Sequence, residues 1–331
     1  MKDIFFIIGT GRCGTQMLRK ALNIWKDVVI LPETHFIITL YDKFKLENVT
    51  TEQFLEVVDN TYSSSGEKWV KVILNTSKKR YETYKKEFTE YIKNKSVDGN
   101  IKIYTEQFFQ YLYGENYTFG DKTPHYGANL DIILKIWPKA KIIYLQRDGV
   151  NTSLSMLRHS AFIKYINSNI AFKDIGRYKY HNKEKNFSNK KPNTKDAILF
   201  WKNATNQIDH SLNICPKNQL LYIKYEDFVY NNFETMTKLI NFLNLKNSIL
   251  YRLEASLVVK PFKCLQKPEK VSIKEYFFLY KLISTEMKKH NYPIVFKKKG
   301  NFFLEILRSV LYYFLLFFSN LKILIFKLRL K

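Results

Sequence analysis

Two glycines near the start of the chain, Gly9 and Gly14, enclose four residues in the run "IIGTGRCGTQML", residues 7–18. This is the spacing of a loop that leaves a strand, cradles phosphate and enters a helix. The first backbone N–H groups of such a helix have no partner within it and converge on an anion. Loops that hold ATP or GTP continue with Lys and then Ser or Thr. Here Thr15 and Gln16 occupy those places, so the cation for the outer phosphates and the usual hydroxyl ligand of magnesium are missing. Arg12 offers a planar two-pronged donor instead, and Thr15 a hydroxyl. The plainer alternative is a glycine turn beside an exposed arginine. A second anion site is suggested at Arg147, the last residue but one of "AKIIYLQRD", with Ser155 eight residues further on. Strand C-termini of an open parallel sheet share one crevice. Arg147 and the Gly9 loop can therefore face one ligand, a nucleotide with two separated phosphate groups. The alternative there is a surface arginine paired with Asp148, and a serine that caps a helix.

The elements that must position these groups follow from the hydrophobic pattern. Residues 3–8 and 27–32 read as buried strands on either side of a helix over 15–25, a unit whose right-handed crossover makes the strands parallel. Residues 117–124 read as a strand running into a polar turn, followed by a helix over 128–137. Residues 140–148 read as a further strand with a helix from residue 150. A helix over 196–213, a strand over 219–227 and a helix to residue 243 complete the alternation. The expected fold is α/β, a P-loop-like three-layer sandwich around a mostly parallel sheet. Residues 41–114 read as a helical insertion. Residues 181–196 carry almost no apolar side chain, which suggests a mobile lid over about 165–195 or a plain surface loop.

The chain has 331 residues with a formal net charge of +24, and 46% of its residues are hydrophobic. That charge attracts polyanions or acidic small molecules. Nucleic acid is not expected, because no zinc-finger spacing, RNA-binding aromatic motif or basic arm is evident. The three cysteines, Cys13, Cys215 and Cys264, form no metal or disulfide framework, which fits a reducing, cytoplasmic setting.

The motifs together resemble the sulfotransferases that use 3′-phosphoadenosine 5′-phosphosulfate (PAPS), in particular bacterial and glycan-modifying members. "GTGRCGTQML" resembles their 5′-phosphosulfate loop, "IIYLQRDGVNTSLSML" their 3′-phosphate element, and "FGDKTPHY" the stretch between. "LYIKYEDF" and "EMKKHNYPI" resemble later segments, so the likeness runs over about residues 1–294. It implies that Arg12, Gly14, Thr15 and Gln16 hold the 5′ end of the donor, with Cys13 giving only its backbone N–H. Arg147 and Ser155 would hold the 3′-phosphate. Gly149 stands where proline is common, which should loosen that loop.

The resemblance also implies in-line transfer of a sulfuryl group to a hydroxyl, less readily an amine, of a glycan or glycolipid, without a metal. Such a reaction needs positioning, charge stabilisation and a base. Glu33, in "LPETHF" after the second strand, resembles the catalytic glutamate of glycan and tyrosine-protein sulfotransferases. The alternative is a capping or salt-bridging glutamate. Cytosolic members use a histidine where Pro124 stands, so His125, one residue late, is the alternative base. Lys122 fits an ammonium over the transferring group, or a salt bridge to Asp121. His35 lines the acceptor site or caps a helix. Tyr225, Glu226 and Asp227 serve structure or substrate, and Lys260 and Lys263 reach the nucleotide late in the chain.

Residues 295–331 change character. The longest uncharged run, residues 309–321, has 13 residues, short of the ~20 that span a bilayer. The segment reads as an amphipathic helix with a wide apolar face and terminal Lys327, Arg329 and Lys331. It would hold the protein peripherally on an anionic membrane surface, at the inner, cytoplasmic face. The alternative is a helix packed on the domain or on a second subunit. Two rivals remain open: a P-loop nucleotide kinase-like enzyme, and a non-enzymatic membrane- or polyanion-binding protein.

Overall fold

Five short apolar runs become five parallel strands, because backbone buried on both faces needs a ladder to satisfy its polar groups and apolar side chains to fill both layers. The computed structural model describes residues 4–63, 65–180, 192–259 and 272–292. The strands are β1 (Phe5–Ile8), β2 (Val28–Leu31), β3 (Thr118–Asp121), β4 (Lys141–Gln146) and β5 (Leu220–Lys224), in the order β2-β3-β1-β4-β5. Ile8 lies opposite Tyr144, Leu31 opposite Asp121 and Gln146 opposite Lys224. The strand ends are thereby aligned along one edge.

Alternation along β1 and β4 splits the core in two. Phe6, Ile8, Ile142 and Tyr144 join one cluster; Phe5, Ile7, Ile143 and Leu145 join the other. The second face is covered by α1 (Thr15–Leu22) and by later helices including Met236, Leu239 and Ala255. The first is covered by the insertion, which begins earlier than residue 41. Its helices are α2 (Phe36–Phe44), α3 (Thr51–Asp59), α4 (Trp69–Ser77), α5 (Tyr84–Asn94) and α6 (Ile101–Tyr113). A capping box from Thr50 to Gln53 starts α3, and Asn100 caps α6. Phe54 sits at the middle of their packing, with the Phe36, Phe88, Tyr104 and Phe108 rings 5.7–6.2 Å away. These rings belong to the same cluster as Phe6 and Ile8, so the insertion shares the sheet's core.

Several boundaries differ from expectation. The helix after the loop stops at Leu22, and the Asn23 side chain accepts the Ile30 N–H at 2.8 Å. Residues Pro124–Asn129 form a 3₁₀ turn before α7 (Leu130–Ile136). The fifth strand ends at Lys224. Tyr225–Tyr230 is helical, with Glu226 and Asp227 in its first turn, where acidic side chains favour a helix start. Part of the expected lid is helical too: α9 (Ser160–Asn167), a 3₁₀ turn Phe172–Asp174 and α10 (Ile175–Tyr178), with α8 (Gly149–Met156) just before them. Residues 181–191, Lys260, Lys263 and the tail from residue 293 lie outside the described residues. Among the described residues no helix is long and apolar enough to cross a membrane.

Candidate active site

Each strand delivers a polar or charged residue at its C-terminal end. The glycine loop follows β1, Glu33 follows β2, Lys122 follows β3, Arg147 follows β4 and Tyr225 follows β5. All of them line one cleft of about 480 Å³. A parallel sheet makes this possible, since every strand ends on the same side.

At the phosphate-loop end, Gly14 is the N-cap of α1 with φ +102°, and a Cβ there would stand 2.4 Å from the Tyr225 ring. No side chain caps this helix start; the Thr15 N–H turns to the buried Cys13 sulfur, while the Thr15 and Gln16 side chains line the cleft. Arg12 is held left-handed at φ +55°, a cost for a residue with a Cβ that turns its side chain toward the cleft. Its Nε donates to Ser155 Oγ at 3.4 Å. Arg147 donates to the Arg12 carbonyl at 3.4 Å, and its guanidinium lies 4.6 Å from the Tyr225 ring centre. Neither arginine pairs with a carboxylate among the described residues. Arg12 is exposed as a residue but its guanidinium is partly shielded. Desolvation, then Arg147 and Arg158, lower its pKa.

Arg147 is not paired with Asp148. The Asp148 carboxylate caps α8 through Asn151 N at 2.8 Å and accepts the Tyr276 hydroxyl at 2.9 Å. Glu226 takes the Asp148 N–H at 3.2 Å and the Tyr292 hydroxyl at 2.7 Å, a structural role that fixes the base of the Arg147 loop. A Cβ on Gly149 would meet Trp201 and Ile283 at 2.7 Å, so glycine permits a close approach of helices.

The other end of the cleft is internally paired. Lys122 Nζ donates to Glu33 Oε1 at 2.6 Å, not to Asp121. His35 Nε2 stands 3.4 Å from Glu33 Oε2, and His35 Nδ1 is 2.9 Å from His125 Nε2. With Glu33 ionised, the consistent tautomers run one way: His35 Nε2–H faces the carboxylate and His125 Nε2–H donates to His35 Nδ1. His125 Nδ1 is then a bare, buried acceptor with no partner among the described residues, and the His35 Nε2 approach to Glu33 is close but not aligned as a hydrogen bond. Burial would raise the Glu33 pKa, but Lys122 and His35 hold it well below the usual carboxylate range. Burial keeps His35 neutral despite Glu33, and keeps His125 neutral with added repulsion from His35. His35 occupies the N-cap of α2, but its side chain does not cap.

Beneath this group lies Asp121, fully buried. It accepts from Thr34 Oγ1 at 2.7 Å and Thr123 Oγ1 at 2.5 Å, and Thr34 Oγ1 also meets the Tyr126 hydroxyl at 2.7 Å. Burial pushes the Asp121 carboxyl up to about 7. Thr34 adjoins Glu33 and Asp121 adjoins Lys122, so this network sets the positions of both ionic partners.

A family model, the sulfotransferase family, matches residues 4–248. The chain belongs to the sulfotransferase family. Its fold is similar to the sulfotransferase domain from the curacin biosynthetic pathway, at TM-score 0.56 and 15% identity over 89% of this chain and 99% of that one. A sulfotransferase from Alicyclobacillus acidocaldarius also matches, at TM-score 0.47 and 14% identity over 87% of this chain and 94% of that one. So does a mouse sulfotransferase complexed with PAP, at TM-score 0.40 and 11% identity over 88% of this chain and 86% of that one. No curated protein matches the chain.

Within this sulfotransferase the residues expected from sequence gather as follows. Arg12, Gly14, Thr15, Gln16, Arg147 and Ser155 all line the cleft, as do Glu33, Lys122 and His125. Cys13 does not. Its side chain is buried behind the loop, where its Sγ would touch a Cβ on Gly9 at 2.6 Å, and burial raises its thiol pKa. Sequence reasoning missed Lys20 and His159, and it missed an apolar wall that includes Phe162, Tyr165 and Phe172. The pairing of 162 with 165 at helical spacing was a signal, but it is also the signal of an ordinary core face.

Proposed function

We propose that this sulfotransferase uses PAPS and transfers its sulfuryl group to a hydroxyl of an acceptor. The observation that carries this reading is the one cleft in which two arginines, without carboxylate partners among the described residues, stand beside a glycine loop, next to a Glu33–Lys122 pair. Arg12 with the helix start at Thr15 and Gln16 suits the 5′-phosphosulfate; Arg147 with Ser155 suits the 3′-phosphate. The acceptor oxygen attacks sulfur in line and a new O–S bond forms. The bond from sulfur to the 5′-phosphate oxygen breaks, leaving 3′-phosphoadenosine 5′-phosphate (PAP). The acceptor's proton goes to Glu33, with His125 as the alternative base.

Glu33 is a poor base while Lys122 holds it, because an adjacent ammonium lowers its proton affinity. The anionic sulfuryl oxygens of the donor compete for Lys122 Nζ. As the lysine turns to them, Glu33 loses its counter-charge and gains proton affinity when the acceptor needs it. The catalytic domain spans about residues 1–294. Residues 295–331 would hold it peripherally at the cytoplasmic face of an anionic membrane. A glycan or glycolipid acceptor would have to present its hydroxyl past the apolar wall.

The test is a thermal-shift titration with PAP against ATP, GTP and AMP, with and without magnesium. A rise specific to the 3′,5′-bisphosphate and indifferent to magnesium supports the donor assignment by binding linkage. A magnesium-dependent response to a triphosphate alone would overturn it in favour of a kinase-like enzyme.

A further inference from the structure

One side of the cleft, running from the glycine loop to His125, is built from Pro124, Ala161, Phe162, Tyr165, Phe172 and Ile175. Pro124 opens the 3₁₀ turn after β3; the others come from α9, the 3₁₀ turn after it and the start of α10. The wall is braced. Phe162 meets Tyr165 edge-on at 5.7 Å, and Phe200 backs both Phe162 and Phe172 at 6.0 and 6.2 Å. It also spans the reacting groups. At one end a Cβ on Gly11 would meet the Phe162 ring at 2.3 Å; at the other a Cβ on Gly176, next to Ile175, would meet His125 and the His35 carbonyl at 3.0 Å. An acceptor lying along this wall brings its reactive atom between the phosphate loop and the Glu33–His35–His125 group.

The polar groups of the cleft decide what kind of acceptor fits. Among the described residues, its lining has one carboxylate, Glu33, and one carboxamide, Gln16. Glu33 is committed to Lys122 and His35, and Gln16 sits on the phosphate loop. Among the described residues, the wall's own side chains offer only the Tyr165 hydroxyl to hydrogen-bond, with the His159 and His125 rings at its edges. A sugar presents hydroxyls all round its ring, and each one stranded against such a wall weakens binding by roughly fivefold to a hundredfold. An apolar stem gains from leaving water for the same surface, and rings pack edge-on against Phe162 and Tyr165.

We propose that the acceptor hydroxyl is carried on an apolar stem, an alkyl or aryl alcohol seated against the α9–α10 wall, and not on a saccharide ring. The proposal rests on reading the cleft as a sulfuryl-transfer site. It can fail on its own, because the wall's selectivity is measured by binding, apart from turnover.

Calorimetric titrations of the full chain with 1-naphthol, 1-octanol and chitotetraose, each with and without saturating PAP, test it. At least one alcohol should bind about tenfold or more tightly than the saccharide, and the better of the two tells an aryl from an alkyl stem. Phe172→Ala should weaken that alcohol about tenfold while leaving PAP affinity unchanged. Ile175→Thr, a milder change, should act in the same direction if the first variant does not fold. Failure of PAP to bind removes the donor assignment, while the alcohol titrations on the free protein still judge the wall. Equal or tighter binding of chitotetraose, no binding by either alcohol, or an alcohol affinity unmoved in the folded variants overturns the proposal.

Discussion

The two ends of the cleft solve opposite electrostatic problems. At the phosphate-loop end burial and the nearby Arg147 disfavour the charge on Arg12, with a strained Arg12 backbone and an uncapped helix start beside it. At the reacting end Lys122, Glu33, His35 and His125 are joined in one chain of short contacts, and the histidines stay neutral. The first end is incomplete until an anion arrives. The second is complete without a ligand and must be disturbed to react. In the proposed reaction an anionic donor would do both, neutralising the arginines and drawing Lys122 from Glu33.

The sharpest way to break this contrast is at Glu33. Glu33→Gln removes the proposed proton acceptor and leaves Lys122 without its carboxylate, but touches neither arginine. Single-turnover rates should fall by roughly 10²–10⁴-fold, with PAP affinity by calorimetry little changed. If Glu33→Gln keeps its rate and His125→Ala loses it, the base is His125 and Glu33 orients the histidine chain.

At the other end, Arg12→Ala should lower PAP affinity by about a hundredfold, the loss of a charge-assisted two-pronged contact. The melting temperature of the ligand-free variant should stay level or rise, because a strained cation repelled by Arg147 has gone. A drop of several degrees without ligand would mean that Arg12 serves the fold, and the contrast between the ends would collapse.

The parts of this arrangement that could be read from sequence are those written in consecutive residues. Buried parallel strands are unbroken apolar runs that turn abruptly polar, so "FFII" and "KIIYLQ" announced β1 and β4 and the loop residues after them. Arg147 and Ser155 were legible because one helical segment carries the serine back over the strand end. Pairings across the sheet were not legible. Lys122 and Glu33 are 89 residues apart, and His35 and His125 are 90 apart. They meet only because β2 lies beside β3 in the sheet. From sequence, Lys122's nearest acid was Asp121. Alternation along the strand end sends that carboxylate down into the core and the lysine up into the cleft. The wall of α9 was hidden for another reason: an aromatic face that lines a cleft and one that fills a core have the same spacing.

Asp121 gives the most graded test, because it supports the reacting end without taking part in it. Its carboxyl titrates near 7 in the folded protein and near 3.9 in an unfolded chain. Between those values the unfolded chain has released a proton that the folded protein keeps. Folding stability from this group therefore falls as pH rises from about 4 to 7 and is level above that. The slope is at most about 1.4 kcal/mol per pH unit. Asp121→Asn has no proton to release, so the stability of the variant relative to the parent should climb across that window. Denaturant titrations at intervals from pH 4.5 to 8 measure the difference. Asparagine keeps one acceptor for Thr34 or Thr123 but not both, so a constant loss of about 1 kcal/mol at every pH is expected beneath the trend. A difference that stays flat with pH would mean that Asp121 is ionised throughout. The reacting end would then hold a second buried negative charge beneath Glu33 and Lys122. Its neutrality at rest, which distinguishes it from the arginine end, would have to be argued afresh.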